Sequence, residues 1–393
     1  MRAEGDHIKI NYWLLPLSWL YSLGVRLRNQ LFKMGILKEQ TFDIPVISVG
    51  NITVGGTGKT PHVEYLIRLL LKEHIKVAVL SRGYKRKTKS YVLANENSTM
   101  REIGDEPFQM KSKFPDIYMA VDNNRKHGIT TLTTEEKTKD VGAVLLDDAF
   151  QHRYVKPGIN IMLVDYHRFI MNDELLPAGR LREPVSGKER ADVVIVTKCP
   201  HDLKPMEYRV LTKNLNLYPF QSLYFTELQY DSLTPLYGGK ECSLHSLRRT
   251  NILLLTGIAS PKQMKEDLTK YCKHITSLSY DDHHEFSSLD IMHINEAFRL
   301  MKSPKIIITT EKDAARLIHT KELSKESKNS LYVLPVRIKF LLDGEGGFNQ
   351  KIINYVRKDS RNSILVKSKD DNKSKNSNYI GNRIRSISFR DNR

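Results

Sequence analysis

Residues Gly50–Pro61 read GNITVGGTGKTP and follow the apolar run Ile44–Val49. A glycine-rich loop that leaves a strand and closes on Gly58-Lys59-Thr60 is a pattern that cradles phosphate. Backbone N–H groups converge on phosphate oxygens, the lysine reaches the outer phosphates, and the threonine hydroxyl can ligate Mg²⁺. The apolar Val63–Leu71 predicts a helix opening from the loop, and its N-terminal dipole favours an anion. The usual spacing has a glycine five positions before Gly58. Here Thr53 stands there, and Gly55 and Gly56, before Thr57, are the expected source of flexibility. The competing reading is an ordinary glycine turn between strand and helix.

Outward from the loop, apolar runs recur at Val77–Leu80, Ile117–Val121, Val141–Leu146, Asn160–Val164 and Asp192–Thr197. Near-continuous apolar runs separated by helical stretches predict a parallel sheet with helices on both faces. Ligands of such sheets bind at the carboxyl ends of the strands. The loop at 50–60, Arg82, the Asp147-Asp148 pair and Asp165 all fall there. A second α/β unit begins after about residue 220, with strands predicted at Asn251–Thr256, His274–Ser279, Lys305–Thr309 and Leu331–Val336. Phe225–Tyr230 and Val336–Leu341 read as extended linkers to and from it. The expected organisation is a P-loop-containing three-layer α/β/α domain over residues 1–220 and a second, smaller α/β/α domain over 221–357. A basic tail over 358–393, rich in Lys, Asn and Ser, is expected to be disordered.

The 393 residues suffice for a sizeable core and suggest two domains. Three scattered cysteines, Cys199, Cys242 and Cys272, form no C-x-x-C pair, which argues against a disulfide framework or structural zinc. A net charge of +17 favours an anionic partner: nucleic acid, an acidic membrane surface or a phosphorylated substrate. Tyr12–Val25 (YWLLPLSWLYSLGV) is the most apolar stretch and is too short to span a bilayer. It carries both tryptophans, Trp13 and Trp19, and is followed by Arg26, Arg28 and Lys33. That pattern suits the headgroup boundary of a membrane; packing on the domain's own core is the alternative.

Asp147 and Asp148 end a buried strand downstream of the loop, where a P-loop protein keeps the carboxylate that holds Mg²⁺. In Gly104-Asp105-Glu106-Pro107, an aspartate near a γ-phosphate could take the proton of an attacking hydroxyl; a capped turn is the plainer reading. Asp281-Asp282-His283-His284 lacks the spacing of helical zinc ligation, but a carboxylate there can raise the pKa of a histidine that supports a base. Arg82, Arg125, Arg153, Arg180 and Arg182 are candidate phosphate clamps.

Taken in order, GNITVGGTGKTP, SRGYKRK, GDEP, LDDAFQHR, LLPAGRLREP, TGIASP, DDHHEF and TTEKDAARL resemble the tetraacyldisaccharide 4′-kinase family of lipid A biosynthesis over roughly residues 10–350. Thr53 is part of that resemblance. It implies transfer of the γ-phosphate of ATP, with Mg²⁺, to the 4′-hydroxyl of a tetraacylated glucosamine disaccharide 1-phosphate. It also implies a peripheral enzyme on the cytoplasmic face of the inner membrane, with an N-terminal helix that contacts the membrane. By motif, Thr53, Gly55, Gly56, Thr57, Gly58, Lys59 and Thr60 bind nucleotide; Thr60, Asp147 and Asp148 hold metal. Asp105 matches the catalytic base, assisted by His283 with Asp282 before it; His284 leaves a one-residue ambiguity. Arg82, Glu106, Arg125, Gln151 and His152 match substrate or phosphate contacts. Arg180 stands where the family pattern has proline.

Two other classes compete. A P-loop GTPase or metal-insertion chaperone would share the loop, but Thr197-Lys198-Cys199 lacks the aspartate of a guanine-reading N-K-x-D. A nucleic-acid binder would suit the charge, but no helix-turn-helix, zinc-finger or aromatic RNA-binding signature accompanies it. No nucleic-acid partner and no obligate protein partner are expected.

Overall fold

The computed structural model describes residues 10–84, 86–258, 261–282, 284–318, 320 and 322–358. The strands are β1 (Val46–Gly50), β2 (Val77–Ser81), β3 (Val92–Leu93), β4 (Tyr118–Val121), β5 (Ala143–Asp147), β6 (Ile159–Asp165), β7 (Val193–Thr197), β8 (Ser222–Tyr230), β9 (Thr234–Pro235), β10 (Asn251–Thr256), β11 (Ile275–Ser279), β12 (Lys305–Thr310), β13 (Leu331–Leu334) and β14 (Val336–Phe340). The helices are α1 (Leu15–Lys33), α2 (Lys59–Lys72), α3 (Met100–Ile103), α4 (Asp105–Lys113), α5 (Arg125–Thr134), α6 (Pro205–Leu215), α7 (Pro261–Leu268), α8 (Ser288–Leu300), α9 (Glu311–Leu317) and α10 (Lys325–Asn329). A further helix covers residues 344–358.

Nine strands form one sheet in the order β14-β8-β7-β6-β1-β5-β2-β4-β3. Its seven central strands are parallel; only β14 on β8 and β3 on β4 are antiparallel. β1, β2, β5, β6 and β7 are buried along their whole length, which explains why they read as unbroken apolar runs. Alternation within them feeds two cores. Ile47 and Val49 pack with Val63, Ile67 and Leu70 of α2 and with Phe348 and Ile352. Val46, Leu80 and Val144 pack on the other face with Ile129 and Leu132 of α5. The result is three α/β/α layers. Each of these fully buried aliphatic side chains contributes about 1.5–3 kcal/mol.

The second sheet has the order β11-β10-β12-β13-β9. Leu254 and Leu268 pack on one face, and Leu253, Leu255, Ile291 and Phe298 on the other. β8 runs out towards this sheet and β14 returns, with Val336 opposite Tyr230 and Phe340 opposite Thr226. Rather than bare linkers, the two strands form the edge of the large sheet. Residues 342–357, placed with the second unit in the sequence-based expectation, also pack there: Phe348, Ile352 and Val356 are apolar at a helical period and bury against the first sheet. Of the expected basic tail only Lys358 is described.

α1 is built the wrong way round for a core helix. Its buried residues are Ser18, Ser22 and Phe32, while Trp13 beside it and Leu17, Trp19, Leu20, Leu23 and Leu27 on it are exposed. Ser18 Oγ donates to the Leu175 carbonyl at 2.9 Å and accepts from Ala178 N–H at 2.9 Å. Tyr21 donates to the Arg182 carbonyl at 2.8 Å. Packing on the domain core, the alternative drawn from sequence, holds for Phe32 alone among its apolar side chains. No helix is long and apolar enough to cross a membrane among the described residues.

His62 ties α2 to the sheet edge. A carbonyl can only accept, so Nδ1–H donates to Gly58 O at 2.7 Å, and Nε2 accepts from Thr226 Oγ1 at 3.0 Å. Burial pushes this imidazole down to about 4, against a smaller opposite effect of the Gly58 bond. A depressed histidine contributes stability that is complete above its unfolded value of about 6.5 and is lost as pH falls towards 4. His62→Gln should therefore remove about 3 kcal/mol of the stability lost between pH 7 and pH 4. Urea titrations across that range check it; an unchanged acid slope would mean that the ring is solvated.

Candidate active site

The loop leaves β1 at the centre of the sheet. β1 lies between β5 and β6, with Val49 opposite Asp147, so loop and carboxylates emerge side by side. Asn51 Nδ2 donates to Thr57 Oγ1 at 2.8 Å and to Thr53 Oγ1 at 3.3 Å. Thr53 is extended and bridges Leu181, while Val54 N–H donates to Arg180 O at 2.8 Å and Arg182 N–H to Ile52 O at 2.7 Å. The first half of the loop is thus a short strand against the LLPAGRLREP segment, and a threonine suits that backbone. Left-handed backbone is used at Gly55 and Gly58. Lys198 braces the second half, donating to Gly56 O at 2.5 Å and to Asp165 Oδ2 at 2.7 Å. Sequence reasoning missed this lysine; its place just past a strand end was the available signal.

Asp147 is buried at the end of β5, where Ser81 Oγ donates to its Oδ2 at 3.1 Å and Arg125 Nη2 to its carbonyl at 3.1 Å. Asp148 follows with φ 46°. Lys59 Nζ lies 3.6 Å from Asp148 Oδ1, and Arg182 Nη1 lies 3.3 Å from Oδ2. Burial, then Glu106 and Asp148, raise the Asp147 carboxyl to about 7. Burial also acts upward on Asp148, but Lys59 and Arg182 outweigh it and bring that carboxyl below its usual value. Adjacent carboxyls driven apart in this way are a mark of functional sites. Oδ1 of each aspartate is buried and accepts no hydrogen bond among the described residues. Two carboxylate oxygens without a hydrogen bond, one of them with Lys59 at 3.6 Å, suit a hard divalent cation beside a phosphate loop.

The opposite wall is the start of α4. Gly104 caps this helix at φ 93°, ψ 162°, a conformation open to glycine, and a Cβ there would lie 3.1 Å from the backbone of Gly83. SRGY and GDEP therefore meet backbone to backbone and present Asp105 and Glu106 in the first turn. Both are engaged from the second unit. Lys312 Nζ lies 2.6 Å from Glu106 Oε1, and Arg316 reaches Asp105 Oδ2 with Nη2 at 2.5 Å and Nε at 3.1 Å. Burial acts upward on Glu106, but Lys312 and Lys59 outweigh it and hold its carboxyl low. A cavity of about 220 Å³ lies between the units, lined by Thr57, Lys59, Thr60, Glu106, Asp282 and Lys312 among others.

Most of the residues singled out from sequence converge here, with some redistribution. Gly56, Thr57, Gly58, Lys59, Thr60, Glu106 and Asp282 line the one cleft. Arg125 is buried, with its guanidinium on the carbonyls of Asp122 and Asp147; it supports the strand end from behind. Gln151 donates to Asn51 O and so stiffens the loop. His152 is pushed down to about 4 by burial and by Arg125, Arg28 and Arg82, and its Nε2 is orphaned. Arg82 is exposed. His283 lies outside the described residues. His284 bonds Asp290 at the start of α8 at 2.9 Å and stacks on Tyr280 at 4.7 Å, which gives it a structural place.

Fold and site together define a P-loop α/β protein whose phosphate loop, with paired carboxylates beside it, lines a cleft between two units. The family described as tetraacyldisaccharide-1-P 4'-kinase matches residues 10–357, and the chain belongs to that family. It is 58% identical over 363 residues to the tetraacyldisaccharide 4'-kinase of Phocaeicola vulgatus, spanning 92% of this chain and 99% of that one. It is 54% identical over 370 residues to that of Bacteroides thetaiotaomicron, spanning 92% and 97%. The crystal structure of LpxK from Aquifex aeolicus in complex with ATP is similar at a TM-score of 0.66 and 27% identity, covering 87% of this chain and 98% of that one. Membership of this family favours the kinase over the GTPase reading.

Gly104→Ala should destabilise the protein by about 1–3 kcal/mol, because the cap is strained for any residue with a Cβ and Gly83 leaves no room. Chemical denaturation measures it. A midpoint equal to the parent's would show that the turn relaxes at no cost.

Proposed function

We propose that this chain transfers the γ-phosphate of ATP to the 4′-hydroxyl of a tetraacylated glucosamine disaccharide 1-phosphate, working at a membrane surface. The observation that carries the reading is the phosphate loop with Lys59 beside the Asp147-Asp148 pair, facing across a cleft Glu106, which follows Asp105 in the first turn of α4. The family match supports the acceptor.

In this reading the loop amides and Lys59 hold the phosphates, and Thr60, Asp147 and Asp148 hold Mg²⁺. The Oδ1 atoms of the two aspartates fit that ion, and no larger cluster of metal-type side chains competes for it among the described residues. When bound, the ion neutralises charge on the β- and γ-phosphates. Asp105 accepts the proton of the 4′-hydroxyl as its oxygen bonds to phosphorus and the bond to the β-phosphate breaks. Positioning and charge neutralisation do most of the work, and the base a smaller part. Arg182, paired with Asp148 and adjacent to the α1 contact at Tyr21, is well situated for an anionic group of the acceptor.

The outward apolar face of α1 is the second support. Trp13 is 93% and Trp19 70% exposed, and α1 is held to the catalytic loops by polar bonds. A helix so arranged lies in the headgroup region with its aromatic side chains down. Anionic lipid and a +17 chain attract one another. Placement on the cytoplasmic face of the inner membrane follows from the same reading.

Purified protein should phosphorylate the detergent-solubilised lipid disaccharide with ATP and Mg²⁺; intact ATP binding without product would sink the assignment. Asp105→Asn should lower kcat by about 10²-fold or more with little change in KM for ATP. Loss confined to ATP affinity would remove Asp105 as the base. Replacing Trp13 and Trp19 together by Ser should weaken binding to anionic vesicles by at least about tenfold at unchanged melting temperature. Equal co-sedimentation of parent and variant would reject the interfacial helix.

A further inference from the structure

Lys312 and Arg316 already reach the site, but the rest of their motif, Thr310–Leu317 across the start of α9, and Thr256-Gly257 at the end of β10 have no part in it as drawn so far. The structure brings them together behind Asp105. Asp313 is fully buried. Its Oδ2 accepts from Gly257 N–H at 2.8 Å and from Thr310 Oγ1 at 2.7 Å, and its Oδ1 faces Arg316 Nη1 at 2.9 Å. Arg316 also donates to the Gly257 carbonyl at 3.3 Å. A Cβ on Gly257 would lie 2.9 Å from Asp313 Oδ1 and 3.4 Å from Arg316 Nη1, so the close seating of the pair needs glycine at this position. The guanidinium, with its side chain only 5% exposed, then reaches out of the second unit to Asp105 of the first.

We infer that Arg316, locked by Asp313 and Gly257, is a positioning residue that fixes the carboxylate of Asp105 for proton acceptance. This rests on the reading of Asp105 as the base. Two donors of one rigid fork converge on Oδ2 and fix the position of that oxygen more narrowly than a single lysine ammonium does. An adjacent guanidinium favours the charged form of a carboxyl group. Among the described residues, the other charged groups at this face include Glu106 beside Asp105 on α4, Lys312 on α9 paired to Glu106, Asp282, whose charge bears on Lys312, and the pair of Lys113 with Glu311. Arg316 bonds Asp105 itself and is buried to do so. The second unit thereby completes the chemistry of the first, because docking of α9 on α4 orients the base.

The test measures kcat and KM for ATP against pH, with detergent-solubilised lipid acceptor, for the parent, Arg316→Gln, Arg316→Lys and Asp105→Asn. Arg316→Gln should lower kcat about 10- to 100-fold and change KM for ATP by less than about twofold. It should also move the acid limb of kcat to higher pH by about one unit or more. Arg316→Lys keeps the charge and should leave the limb in place while recovering part of kcat. An Arg316→Gln variant with the parent's limb and turnover, beside an inactive Asp105→Asn, overturns this inference alone. An active Asp105→Asn overturns the base reading and this inference with it. Should Arg316→Gln fail to fold by its melting curve, Arg316→Lys decides: full parental turnover refutes the positioning role.

Discussion

Two carboxylates held side by side at a strand end are costly, and the site is organised around that cost. Asp147 is buried at the end of β5 in the middle of the sheet, and Asp148 beside it is half-buried. Burying like charges together is unfavourable unless each finds hydrogen bonds or an opposite charge. Lys59 and Arg182 serve Asp148, while among the described residues the Asp147 side chain accepts a hydrogen bond from Ser81 alone and its carboxyl is raised to about 7. That asymmetry leaves an unmet demand for positive charge beside the phosphate loop. The order of the sheet creates it, because β1 and β5 are neighbours and their ends cannot be separated.

The same logic recurs across the cleft with opposite outcome. Asp105 and Glu106 open α4, where the helix terminus already favours anions. The second unit adds Arg316 and Lys312 from α9, and Lys113 of α4 reaches back to Glu311 and Glu64. These pairs are partly buried, so they are stronger than surface pairs and more dependent on geometry. The contact between units is made largely of charge. Its strength therefore changes when a polyanion enters, in a way that an apolar interface would not.

Much of this was legible in the sequence, for identifiable reasons. Strands buried on both faces are unbroken apolar runs, so the parallel sheet and the strand-end location of Asp147 and Asp148 could be read directly. The loop declared itself through Gly58-Lys59-Thr60 even with Thr53 in place of glycine. What escaped was everything that depends on long-range pairing. Arg125 looked like a phosphate clamp, but its burial under Asp147 comes from the β2–β5 neighbourhood. Lys198 looked like a failed guanine-reading motif, and its bond to Gly56 depends on the order of β6 and β7. The packing of Phe348, Ile352 and Val356 on the large sheet was not legible either, because apolar spacing shows that a face is buried and not which unit buries it. The bond from His284 to Asp290 likewise depends on how the chain turns from β11 into α8, which two adjacent histidines do not reveal.

The pairing of β8 with β14 has a mechanical meaning. The chain passes to the second unit and back through two hydrogen-bonded antiparallel strands that belong to the edge of the large sheet. Such a ribbon bends and twists readily about its long axis, but sliding one strand past the other breaks every bond of the ladder at once. The second unit is thus mounted on a strap with few soft modes, and its approach to the first follows nearly one arc. Register along that arc was set once, by Val336 against Tyr230, and every charge that α9 offers to α4 inherits its alignment from that ladder.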